Sequence, residues 1–258
     1  MFMKMLSGAM IAGGAAGLLA ASLHFALLQD KLLLGEQYES GELSHFAMPA
    51  PTQDHGHAIA TGAHEVTAHS HDTAEGDAED GHSHSHASSE EGSDITRNLY
   101  TVAFNVLIYV AYAILMTAGF AVATTNGRRI GPSEGVLWGL AGFAAFQMLP
   151  ALGLPPELPG SSAADISDRQ TWWWAAVVAS TSGLGLLAYG RSIATAVLGL
   201  VLLALPHLIG APEADGYAGL VPPELSAAFA ARVLGVGLIV WTFLGWLAGK
   251  LWADEPFK

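Results

Sequence analysis

Cysteine is missing altogether from this 258-residue chain. No disulfide staple and no thiolate ligand are therefore possible, and any metal must be held by nitrogen and oxygen. Charge is scarce as well. Only 13% of the residues are Asp, Glu, Lys or Arg, about half of the ~25% that an ordinary soluble domain carries. Lys and Arg number ten and never stand more than two together, which excludes a nucleic-acid surface. No phosphate loop, nucleophile elbow or His-Glu-x-x-His site is present, and no base sits beside a nucleophile. An enzyme is not expected, nor an ATPase, nor an organic cofactor.

Apolar runs are what the chain has in plenty, at 52% hydrophobic residues. The first, 5–28, follows Lys4 and is long enough to cross a bilayer core, which takes about 20 helical residues. Ala9, Gly13, Gly17 and Ala21 recur at i+4 within it, a small-residue stripe that lets another helix come close. Further runs lie at 99–124, 135–152, 172–189, 193–209 and 227–248. These predict an all-α, polytopic membrane protein of about six transmembrane helices, or five if the first run is a cleaved signal peptide. Gly190, Arg191 and Ser192 alone separate the fourth and fifth runs, as in a tight helical hairpin.

One stretch, 45–94, differs from all the others. It holds nine of the 11 histidines, and 36–97 holds thirteen acids against one base, −12 of the net −13. With no spaced apolar residues it cannot bury a core and is expected to be disordered without metal. The domain plan is thus a first helix at 1–34, a His/Asp/Glu-rich loop at 35–98 and a five-helix bundle at 99–258. Within the bundle, Pro150 and Pro206 near span ends, each followed by Pro-Pro-Glu, echo a weak repeat, 135–190 against 193–250.

Lys and Arg in short loops set the orientation. With Lys4, Arg128, Arg129, Arg191, Lys250 and Lys258 inside, both termini are cytoplasmic. Lys31, Arg97, Arg169 and Arg232 fall outside, as does the His/acid loop. Trp172, Trp173 and Trp174 stand at the outer end of their span, where aromatic belts sit.

Neutral imidazole and carboxylate suit borderline divalent ions such as cobalt, nickel and zinc. His55, His57, His64, His69, His71, Asp72, His82, His84 and His86 are the densest candidate ligands. Alternate residues of an extended chain project to one side, so paired imidazoles can share an ion. The competing reading is a solvated acidic linker. Polar groups inside the apolar runs are few. His207 follows Pro206 and is a ligand at the mouth of a pathway or an interfacial hydrogen-bonding group. His24 is a ligand or a packing partner. Glu157 and Glu224 are rim carboxylates for a cation or helix caps, with the cap favoured for Glu224. Gln147 lies three residues before Pro150 and could face the same cavity. Asn105, Tyr109 and Tyr112 share a helix face, as polar lining or as interhelical partners.

The run Trp138 to Gln147, then Pro150 to Gly160, then Arg169 and Gln170 before Trp172 and Trp173, resembles the predicted cobalt transporter subunit CbtA family. So do the run Ala204 to Pro212 and the pair Tyr38 and Glu39. The resemblance implies a bacterial inner-membrane protein for cobalt uptake, often beside a small His-bearing subunit, CbtB. A docked, non-transporting metal chaperone or sensor is the rival expectation, as is transport of nickel or zinc.

Overall fold

The computed structural model describes residues 2–45, 87–214, 216 and 219–254. Every regular element among them is helical: α1 Phe2–Leu27, α2 Gln29–Glu39, α3 Ala87–Thr125, α4 Pro132–Phe143, a π-helical turn Ala144–Met148, α5 Leu149–Ala151, α6 Ile166–Tyr189, α7 Ile193–Ile209 and α8 Pro223–Ala253. Three segments are long and apolar enough to cross a membrane: Met5–Leu27, Asp94–Thr125 and Pro223–Ala253; Ile193–Ile209 is shorter and apolar. The His/acid candidates from His55 to His86 lie outside the described residues.

Small residues decide which helices touch. A methyl group added to Gly13 or Gly17 would strike the α3 backbone at Tyr109 and Val110, or at Asn105 and Val106. The i+4 stripe thus packs α1 antiparallel to α3. Ala9, Ala12, Ala16 and Ala20 are buried beside it. Gly135 and Gly139 of α4 face the backbone of Gly245, Gly249 and Trp241 of α8, again antiparallel. Apolar solvation drives little association between helices in lipid, so such close contact supplies the dispersion that holds them. Gly183 and Gly199 do the same for α6 and α7, joined by the three-residue turn at 190–192 as the sequence predicts. Gly235 differs: nothing lies near it. An aromatic cluster fills the centre, with Trp241 4.6 Å from Tyr112 and stacked on Phe146 at 5.7 Å.

Local chemistry sets the helix ends. Pro132 opens α4, and the Glu134 carboxylate accepts the Gly131 N–H at 3.1 Å. Asp165 accepts from Ser167 N–H at the start of α6, and Ser192 accepts from Thr195 N–H at the start of α7, as N-caps do. Between α1 and α2 the chain breaks only at Leu28. Arg232 of α8 fastens that break, donating to the Leu27 carbonyl at 2.9 Å and pairing with Asp30 at 3.5 Å. Two boundaries go beyond the sequence reading. The helix expected over 99–124 begins at Ala87, and the one expected to fade after Leu34 runs to Glu39. Polar residues extend both, because a helix started in an apolar run propagates cheaply into its flank.

Candidate polar site at one end of the bundle

Three connecting segments meet at one end of the bundle. A methyl group on Gly35 of α2 would touch Leu158 and Pro159 at 3.3–3.4 Å, and one on Gly160 would touch Glu39 and Val221 at 3.3 Å. The Leu220 N–H donates to the Gly160 carbonyl at 3.1 Å, and the Ser162 hydroxyl donates to the Gly216 carbonyl at 3.2 Å. This end carries the C-terminus of α1 with His24, the loop bearing Glu157, the C-terminus of α7 with His207, and the N-terminus of α8 with Glu224.

The ring of Trp172 is the hub. It is buried, its Nε1–H donates to the Pro206 carbonyl at 3.3 Å, and the His207 ring meets it edge-on at 5.9 Å. Gly153 lies against the same indole, where a methyl group would strike the ring. Trp172 therefore ties α6 to α7 and to the loop after α5. It is a packing residue, whereas its neighbour Trp174 is 59% exposed, as a belt residue should be. Three residues before Trp172, on the same side of α6, Arg169 Nη2 donates to Glu157 Oε2 at 2.6 Å.

Two nitrogens here are buried and find no hydrogen-bond partner among the described residues: His207 Nε2 and Arg169 Nε. Leaving such an atom dry and unpaired costs about 1–3 kcal/mol, so each is a place where a ligand or a water would be welcome. Glu224 is exposed in the first turn of α8, where the helix dipole favours a carboxylate, and no side chain makes a capping hydrogen bond at that helix start. His24 is half-buried in the last turn of α1, edge-on to Phe25 at 5.7 Å. Glu157, His207, Glu224 and His24 thus share one end of the bundle, yet no group of three His, Asp or Glu close enough to hold a metal occurs among the described residues.

Deeper in the bundle lies a second polar spot. The π turn at 144–148 precedes Pro150, whose ring would clash with the carbonyl of Phe146 in a regular α-helix. The wider turn relieves that clash and swings Gln147 onto α8, where Gly237 leaves room for it. Gln147 Oε1 and Trp241 Nε1 are both buried without a partner among the described residues. The Pro206 copy of the motif has no π turn and ends instead at Gly210, with φ +92°. Asn105 donates to Thr101 of its own helix at 2.8 Å, and Tyr109 and Tyr112 sit in the aromatic cluster.

Regular elements that are all helical among the described residues, three of them long and apolar enough to cross a bilayer, are the mark of a membrane protein. The family model described as probable cobalt transporter subunit (CbtA) matches residues 2–253. The chain belongs to that family. No curated protein and no solved structure matches it.

Sequence reasoning missed Arg169 as the partner of Glu157 and Trp172 as the hub. Arg169 was legible only as an outer cation, because its partner lies twelve residues away across an irregular loop. Trp172 hides in a triplet of tryptophans that composition cannot tell apart.

Proposed function

We propose that the chain is the membrane subunit of an uptake system for a divalent transition metal, cobalt foremost, in the bacterial inner membrane. It crosses six times, with α4, the π turn and α5 acting as one span. Both termini are cytoplasmic and the stretch between α2 and α3 is periplasmic. His55, His57, His64, His69, His71, Asp72, His82, His84 and His86 collect hydrated ions there. His207, Glu157, Glu224 and His24 form the mouth that receives them, and the metal is cargo. A small His-bearing second subunit, CbtB-like, completes the system. Beyond family membership, one observation supports this reading: the His207 imidazole offers a buried, unpartnered Nε2 at the end of the bundle that also carries Glu157. Neutral imidazole beside a carboxylate suits cobalt, and a sparse ligand set lets the ion leave again.

The test is uptake of cobalt, nickel and zinc by proteoliposomes holding the full chain, with and without the second subunit. Wild type should accumulate cobalt. His207→Ala should lose about tenfold or more, since even an outer-shell partner of a metal ligand is worth that much. Cobalt bound by the protein but never carried inside would point to the chaperone reading instead.

A further inference from the structure

We infer that Arg169 is a built-in competitor for the cation at Glu157: it occupies the carboxylate while no ion is present, and an arriving ion must displace it. The inference rests on the uptake reading above.

Glu157 follows Pro155 and Pro156, whose rings restrict the loop and so hold the carboxylate in place. Arg169 reaches it from the first turn of α6, which the Trp172 hydrogen bond to Pro206 anchors. Both side chains are partly exposed, 30% for Arg169 and 27% for Glu157, so an ion has access from solvent. The grip is single. Only Nη2 bonds Glu157, while Nε lies buried with no partner among the described residues. A forked guanidinium–carboxylate pair uses two parallel N–H donors and is hard to exchange; this one leaves half of the fork unused.

The competitor is also permanent. A guanidinium keeps its charge at every physiological pH, so Glu157 never faces a cation without a rival. Two consequences follow for transport. Glu157 is not left uncompensated while the mouth is empty, and a captured ion is bound weakly enough to move on. His207, whose ring meets the Trp172 indole edge-on, offers a buried Nε2 with no partner among the described residues at this same end of the bundle.

The experiment uses the full chain in lipid nanodiscs, with cobalt as the probe. All variants keep the His/acid loop, so differences between isotherms report the mouth. Arg169→Gln should bind cobalt about tenfold tighter, because the repulsion between two cations a few ångströms apart is removed. Glu157→Gln should abolish that gain, and the double variant should match Glu157→Gln alone. In proteoliposomes, Arg169→Gln should lower KM and Vmax together. A merely structural ion pair predicts the opposite, with either single variant weakening binding. Should Arg169→Gln misfold, wild type answers alone: phenylglyoxal labelling of Arg169, followed by mass spectrometry, should rise with cobalt and not with magnesium. Uptake with unchanged Arg169 labelling, or weaker binding by folded Arg169→Gln, overturns the inference and spares the uptake reading. Wild type that neither binds nor takes up cobalt overturns both.

Discussion

An imidazole beside a proline near the end of an apolar run is costly in lipid, so His207 needs a reason to be there. Its position is legible in the sequence; its lack of a partner is not, because that depends on what α6 and the loop after α5 bring to it. The same holds for Glu157, visible as a carboxylate after two prolines but neutralised by a residue from another element. Asp165 offers a cleaner residue-scale case. Its carboxylate accepts from the Ser167 hydroxyl at 2.6 Å and the Ser167 N–H at 2.8 Å, and these bonds hold its pKa below the ordinary value of 3.8. A depressed acid stabilises the fold above its unfolded pKa and loses that contribution as pH falls through the folded one. The first turn of α6 should therefore exchange its amide hydrogens faster only below about pH 4. Asp165→Asn, which still caps, should remove that acid-side change. Hydrogen exchange with mass spectrometry reads both.

Elements in this protein are chosen by glycine as much as by hydrophobicity. The α4–α8 contact runs through Gly135, Gly139, Gly245 and Gly249, with backbone against backbone. A methyl group at Gly245 would land on the Gly135 carbonyl. Gly245→Ala should therefore cost about 1–3 kcal/mol, as overpacking does, and lower the unfolding temperature in detergent. Gly235→Ala, on the same helix but facing open space, should be neutral or slightly stabilising. Both glycines look alike in the sequence, and only the crossing of two helices separates them. The π turn at 144–148 makes the same point. Pro150 announces a distortion, but whether a proline kinks, widens or ends its helix depends on neighbours. Its counterpart Pro206 simply precedes the end of α7.

At the scale of the whole molecule, the chain sets a polar, His-laden stretch against an apolar bundle. If that stretch collects metal, deleting 54–86 should leave the bundle folded while removing most cobalt sites seen by calorimetry near neutral pH. Accumulation at low external cobalt should fall with it. In wild type the same sites should empty as pH drops below about 6.5, where imidazole takes up a proton instead of a metal. Deletion without effect on binding or accumulation would make the tract a solvated linker.

Composition and spacing by themselves determined that this is an all-helical membrane protein and where its apolar segments lie, because burial in lipid demands long apolar helices whatever their neighbours. They also determined that any metal here meets imidazole and oxygen, since no thiol exists. The pairing of Arg169 with Glu157, the seat of His207 on Trp172 and the turn of Gln147 toward α8 were decided only by tertiary structure. Each depends on the distance between residues far apart in the chain, and that distance is set by how closely glycine-faced helices approach.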